Sequence, residues 1–534
     1  MLDVVIKNAN IIDGTGAPAY TGDVGIKNGK FTFATTGVAA KQVISAEGLC
    51  LCPGFIDMHS HGDMVLGQDY ARLSKVSQGI TTEIGGHCGL SMFPIDAEKL
   101  ETYKALFSAA TAYFPPEMRE FITFDRFLEY ARSQPLSANI AAFAGHGAIR
   151  LAVMGLENRQ PTTAELDRMK SILADCMESG ALGMSTGLIY SPGVYAKSEE
   201  IVELAKVVEK YGGMYASHLR NESFDVVKSV AEAIDIGRQS GAKVLISHHK
   251  VCGKRNWGLS EKTLELADAA VREGIQVTID QYPYTAAMTS LNACIPPWYF
   301  TAGIPAMAES LKDPSVREKL KREIEDPATP FENFMLNSGG FDGVFISSCP
   351  VTHNAEGMFV SEYAAAVGRS PFDAFCDLMI ANGGVGSALY HCMSEDDLCR
   401  IIQNPNTVVG TDGASLAMEE KAHPRSFGTF VRAICYYHKE KRLLALEEII
   451  RKMTSLPAER AMLVGKGVIA EGYDADLVLF NYDELQDTPS YKESNRLCKG
   501  IVSVFVNGKI VYNYGGLTGE TPGRVLLRGA GSFD

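Results

Sequence analysis

A chain of 534 residues is too long for one ordinary domain and long enough for a large domain with an accessory module. With 50 Lys and Arg against 64 Asp and Glu, its formal charge of -14 lacks the basic footprint that nucleic acid or an anionic membrane surface requires. Neither partner is expected, although a local pair of cations can still hold a small carboxylate inside an acidic protein.

The N-terminal MLDVVIKNANIIDGTG reads as strand, turn, strand, without the basic start, apolar core and small-residue cleavage site of a secretory leader. No apolar run is long enough to span a bilayer. The 12 cysteines keep no framework spacing, so reduced thiols and a cytoplasmic location are expected. From about Pro53 to Gly413 one unit recurs: a short apolar strand, a polar loop, an amphipathic helix. The predicted strands end, in order, at His59, Cys88, His146, Thr186, His218, His249, Tyr284 and Gly413.

Helical periodicity fills the gaps between them. Ile201, Leu204, Ala205 and Val208 fall at i, i+3, i+4 and i+7, and SEKTLELADAAVREG repeats the pattern behind a capping-type Ser260. Alternating βα units in this number predict an α/β fold, a parallel (β/α)8 TIM barrel over residues 56–465, with its active site at the C-terminal strand ends. Residues 1–55 and 466–534 read as short strands with Gly turns. They are expected to pair into one small β-sandwich-like domain built from both termini. Residues 285–343, after strand seven, are longer than a βα loop should be and are read as an insertion near the barrel mouth.

The chemistry-bearing residues sit at the strand ends. His59 and His61 form H-x-H, and residues i and i+2 of a strand point to one side, so both imidazoles can face one metal. Cys88 ends strand two as a thiolate candidate for an ion such as zinc, and His218 and His248 end consecutive strands. His249 alternates to the other face and is expected to be structural. Asp412, in VVGTDG, can take a proton from an attacking water, and Asp280 is a second candidate carboxylate.

Taken together, PGFIDMHSHGD resembles the first-strand signature of the amidohydrolase superfamily. QGITTEIGGHCG, STGLIYSPGVYA, ASHLRNE, ISHHK, DQYPYTA, GTDG and HPRSFGTF resemble its D-aminoacylase branch, the N-acyl-D-amino-acid deacylases. The likeness covers nearly the whole chain. It implies one tightly held zinc on Cys88, His218 and His248, and a second, weaker position on His59, His61 and Asp412 with Cys88 bridging. It also selects Asp412 over Asp280 as the catalytic carboxylate. Ring-opening relatives use a carboxylated Lys on strand four, whereas no Lys lies between Ser171 and Ala196 here. One departure stands out: His87 occupies a place where these proteins commonly have Asn.

The resemblance further implies hydrolysis of the amide of an N-acyl-D-amino acid, with Lys250, Arg425 and the Tyr282 hydroxyl as substrate-binding groups for its carboxylate. Relatives specialised for D-glutamate place an Arg beyond the YPY segment. TAAMTSLNACIPPW has neither Arg nor Lys, and Met288, Leu291 and Pro296 to Trp298 predict a neutral or hydrophobic side chain. The competing expectations are a dipeptidase acting on L-Xaa-D-Xaa, a cyclic-amide hydrolase of hydantoinase or dihydroorotase type, and a barrel that has become a scaffold. The expected partner is a small-molecule N-acyl amino acid or dipeptide, and the oligomeric state stays open.

Overall fold

The computed structural model describes residues 1–68, 73–107, 113–419 and 422–530. Eight short parallel strands form the central barrel: Phe55–Asp57, Ile80–Gly85, Asn139–Ala142 continued by Ala144–Gly145, Gly183–Gly187, Met214–His218, Lys243–Ile246, Val277–Gln281 and Thr407–Val409. The third strand pairs with the second through Asn139–Ala142 and with the fourth through Ala144–Gly145. A parallel bridge from Ser60 to Gly413 joins the first strand end to the eighth.

Alternation along each strand explains the interior. Ile56, Met58, Ile84, Ala141, Phe143, Met214, Ala216, Leu245 and Val408 point inward as one apolar cluster. Leu456 and Ala458, on the helix Ser455–Arg460, belong to the same cluster and close its floor. Apolar filling below leaves polar strand ends for the opposite mouth. The outward-facing residues pack under helices: Ile201, Leu204, Ala205 and Val208 of Ser198–Lys210 are all fully buried, each large side chain contributing about 1.5–3 kcal/mol of transfer free energy. Ser260 differs from expectation. Leu259 is the cap, and the Ser260 hydroxyl instead donates to Asp397 while accepting from Arg400.

The termini share one nine-stranded sheet in which Leu477–Phe480 pairs antiparallel with Cys50–Pro53, so strands from opposite ends of the chain meet at its centre. Two parts of the 466–534 segment leave that sheet. Tyr491, Ser494 and Asp487 reach the barrel mouth, contacting Thr285, Ala422 and Arg432, and residues from Pro522 onward run beside Leu136 and Ile140. Residues 531–534 lie outside the described residues. The insertion also extends beyond residue 343. Ala287–Ser290, Val344–Ser348 and Ser387–Tyr390 form one antiparallel sheet, so the excursion continues through Tyr390 before the helix Glu395–Gln403 packs back on Ser260–Arg272 and on the eighth strand. VFISS and SALY read locally like further βα units, and only their mutual pairing separates them from the barrel.

Lys75 ties the mouth together. Fully buried, its ammonium donates to Asp57 Oδ2 at 2.7 Å, Thr411 Oγ1 at 2.7 Å, the Gly413 carbonyl at 2.9 Å and Ser60 at 3.1 Å. Burial raises the Asp57 carboxyl from its ordinary value, and Lys75 opposes that rise. Lys75→Met strands that carboxylate in a dry interior, so we expect a loss of about 3–5 kcal/mol in denaturant-unfolding free energy. A loss below about 1 kcal/mol would contradict the role.

Candidate metal centre and active site

Three of the strand-end residues adopt left-handed backbone: Cys88 at φ 56°, His248 at φ 35° and Asp412 at φ 49°. Such conformations cost non-glycine residues roughly 1–3 kcal/mol and persist where the surroundings enforce them. Here the enforcing bonds are visible. The His248 amide donates to Asp280 Oδ1 at 2.8 Å, and the Asp412 amide donates to the His59 carbonyl at 2.7 Å. Gly86, at φ 72°, turns the chain where a Cβ would lie 2.0 Å from the Phe143 carbonyl, delivering Cys88 into the mouth.

The donor atoms converge. Cys88 Sγ lies 3.4 Å from His248 Nε2, which is 2.8 Å from His218 Nδ1. On its other side Cys88 Sγ lies 3.4 Å from His59 Nε2. His59 Nε2 and His61 Nε2 are 3.4 and 3.3 Å from Asp412 Oδ1. All six side chains are buried. His249 turns away to Thr263 at 2.7 Å.

This donor set fits a cation. Desolvation holds His59, His218 and His248 well below the ordinary imidazole value, so they present neutral lone pairs. Burial, reinforced by Asp412, pushes the Cys88 thiol well up, so its thiolate needs a positive ion beside it. Burial opposes ionisation of Asp412 too, but the Arg425 guanidinium and a hydrogen bond from His61 hold its carboxyl well below the ordinary carboxylate range.

The sequence reading names Asp280 and His87 without their supporting contacts, and it misses Glu222 and Glu332. Asp280 Oδ2 faces His59 Nδ1 at 3.1 Å, the second-carboxylate position that orients an imidazole. Glu222 accepts from Lys250 at 2.7 Å, and its Oε1 lies 3.1 Å from His248 Nδ1. Its only sequence signal was its place in ASHLRNE. His87 stacks on His59 with ring centroids 3.9 Å apart.

Glu332, from the insertion, accepts from the Glu222 amide at 2.7 Å and had no sequence signal. Burial, with Glu222 adding, pushes its carboxyl up to about 7 from 4.5. Between those pH values the unfolded chain releases a proton that the folded chain keeps, so stability falls as pH rises through the window and levels off above it. Glu332→Gln should remove that slope. Relative to the variant, the native protein is expected to lose up to roughly 3 kcal/mol between pH 4.5 and 7 in denaturant titrations. Parallel curves would contradict this.

A pocket of about 90 Å³ opens over the cluster, lined by His61, Cys88, His218, His248, Asp412, Lys250, Tyr282 and Arg425. Arg425 donates to Asp412 Oδ2 at 2.6 Å and lies 4.9 Å from the Tyr282 ring centre, with Lys250 Nζ at 5.8 Å from the same centre. Among the described residues the buried Tyr282 hydroxyl has no hydrogen-bond partner. Of the apolar residues expected around the substrate side chain, Met288 lines this pocket. Leu291 is buried in the insertion core, and Trp298 packs on Phe331.

A closed parallel barrel with neutral imidazoles, a thiol and an ionised carboxylate at its mouth defines the class of metal-dependent barrel hydrolases. Comparison with known proteins narrows the class. Residues 398–511 match the amidohydrolase family. The chain is 32% identical to the D-aminoacylase of Alcaligenes xylosoxydans xylosoxydans over 99% of its own length and 98% of that protein's. It is 33% identical to the N-acyl-D-aspartate deacylase of the same organism, covering 99% and 95%. It superposes with a TM-score of 0.81 at 31% identity on the N-acyl-D-glutamate deacylase from Bordetella bronchiseptica, solved with zinc and a phosphonate inhibitor, covering 98% and 99%. The chain belongs to the D-aminoacylase family of amidohydrolases. Among the described residues no helix is long and apolar enough to cross a membrane.

Proposed function

We propose that this protein hydrolyses the amide bond of N-acyl-D-amino acids whose side chains are neutral or apolar, with zinc held by Cys88, His218 and His248. His59, His61 and Asp412 complete a second, weaker position that shares Cys88. One juxtaposition carries the reading. Cys88 Sγ, His218 Nδ1 and His248 Nε2 converge in the same small pocket as an ionised Asp412 and two cations, Lys250 and Arg425.

Held by Cys88, His218 and His248, a zinc ion would supply Lewis acidity toward the carbonyl and the water. The protein does the rest. Lys250, Arg425 and the free Tyr282 hydroxyl bind the substrate carboxylate and fix the amide beside Asp412. Asp412 accepts the proton of the attacking water and returns it to the departing nitrogen, which must be protonated before the tetrahedral intermediate can collapse forwards. A substrate carboxylate that engages Arg425 also draws it from Asp412, and this raises the basicity of Asp412 when a base is needed.

Lys250 and Arg425 are the only Lys or Arg among the described residues lining this pocket, and both are assigned to the α-carboxylate. Met288 and Leu90 are among its apolar lining residues, which favours neutral side chains. The test is amine release from N-acetyl-D-leucine, N-acetyl-D-methionine, N-acetyl-D-aspartate and N-acetyl-D-glutamate, with L-Xaa-D-Xaa dipeptides included. We expect kcat/KM for the neutral substrates to exceed that for the acidic ones by about 100-fold, the cost of an unpaired charge. A preference for D-aspartate or D-glutamate would overturn the side-chain assignment, and faster cleavage of dipeptides would replace the acyl substrate.

A further inference from the structure

His423, just ahead of the helix Arg425–Arg432, is fully buried, and both of its ring nitrogens are engaged. The Arg425 amide lies 3.0 Å from Nδ1, and the Ala286 carbonyl lies 2.9 Å from Nε2. A backbone N–H can only donate, so Nδ1 accepts from it, and the ring proton stands on Nε2 and is donated to Ala286. Burial, helped by the Arg425 charge, holds the ring well below the ordinary imidazole value and keeps it neutral. Tyr284 and Tyr491 face the ring edge-on, with centroids at 5.1 and 5.4 Å, and Tyr282 stands at 6.0 Å. This packing fixes the ring in one orientation.

Both partners of the ring lead to the Arg425 side chain. Arg425 opens its helix, so its amide has no acceptor within the helix and depends on one outside. Ala286 directly precedes the strand Ala287–Ser290, where the Met288 carbonyl accepts from Arg425 Nη2 at 3.4 Å. The other arm of the guanidinium donates to Asp412 Oδ2 at 2.6 Å, and Nε has no partner among the described residues. His423 therefore joins the backbone that carries the guanidinium to the strand that receives one of its arms. Among uncharged side chains, only imidazole holds a donor and an acceptor at separate corners of a rigid ring.

We propose that His423 is a positioning residue for the substrate carboxylate, its ring fixing the Arg425 guanidinium between Asp412 and the bound acid. The inference rests on the amidase reading given above, in which Lys250 and Arg425 hold that carboxylate. Forked, charge-assisted bonds are strict in geometry, and a displacement of about 1 Å can cost on the order of 100-fold in rate. The effect falls on discrimination between an acid and its uncharged analogue. Loss of folded protein leaves that ratio untouched, because both compounds meet the same active molecules.

The measurement is acetate release from N-acetyl-D-leucine and from N-acetyl-D-leucinamide, which lacks the carboxylate charge. The native protein should favour the acid by about 100-fold or more in kcat/KM, since the amide leaves two buried cations unmatched. In His423→Phe, which keeps a ring and loses both bonds, this ratio should fall by about tenfold or more. The loss should appear chiefly as a higher KM for the acid, with zinc content unchanged. His423→Asn retains an acceptor near the place of Nδ1, and His423→Gln retains a donor near that of Nε2. Each should recover part of the ratio.

A ratio within about twofold of native in folded, zinc-loaded His423→Phe protein would overturn the proposal. If that variant does not fold, the Asn and Gln variants decide. Ratios about threefold or more below native are expected of them, and native ratios in both would overturn the proposal. A native protein that cleaves acid and amide equally, or neither, fails at the earlier step. The amidase reading with its carboxylate anchor then falls, and the role of His423 falls with it.

Discussion

Asp412→Asn should lower kcat by roughly 10³-fold or more while the protein keeps nearly all of its zinc. Asn preserves the size of the side chain and one oxygen facing His59 and His61, which lie 3.4 and 3.3 Å from Oδ1, so the position is not emptied. It removes the charge that accepts the water proton and delivers it to nitrogen. It also leaves Arg425, now 2.6 Å from Oδ2, without its anion. That cation stays available to the substrate carboxylate, so the loss should fall on kcat far more than on KM. Zinc content by elemental analysis and single-turnover rates separate these effects. Near-normal kcat would remove Asp412 from the role of proton carrier.

Cys88→Ala should have the opposite signature, losing both turnover and bound zinc. Its sulfur is the common member of the two donor groups, 3.4 Å from His59 Nε2 and 3.4 Å from His248 Nε2. Removing it leaves His218 and His248 as a two-nitrogen site on one side and withdraws the bridge from the other. Tetrahedral zinc sites rest on three or four protein ligands, so we expect affinity to fall by several orders of magnitude. The apoprotein should still fold, because a buried thiol packs as a small hydrophobe. Cys52→Ala, at a buried thiol of the terminal sheet, is the control and should keep its metal. Stoichiometric zinc in a folded Cys88→Ala protein would contradict the assignment.

Much of this architecture was legible because the barrel writes its chemistry at fixed places. Each βα unit ends its strand in polar residues, and alternation decides which of them face inward, so His59, Cys88, His218, His248 and Asp412 could be named from spacing and resemblance. The supports of those residues could not. Lys75 binds Thr411 336 positions away, and Glu332 accepts from Glu222 110 positions away; neither stands in a local pattern. Glu222 and Asp280 were visible as carboxylates, but their bonds to Lys250, His248 and His59 exist only once the strands are side by side.

The insertion was underestimated for a related reason. Val344–Ser348 and Ser387–Tyr390 look like barrel strands in isolation, and antiparallel pairing with Ala287–Ser290 is a long-range property. A cavity of about 850 Å³ beside the catalytic pocket is partly walled by that same excursion, since Ala293, Phe300 and Phe331 come from it. Its existence could not be read from the IPPWYF segment alone.

The central claim is that a metal at the Cys88 cluster drives cleavage of N-acyl-D-amino acids. Amine release from N-acetyl-D-leucine and from its L enantiomer tests it most directly. The protein is assayed as purified, after metal removal by a chelator, and after zinc is returned. The expected result is release from the D compound alone, lost on metal removal and restored by zinc. Release confined to the L enantiomer, or undiminished in metal-free protein, would contradict it.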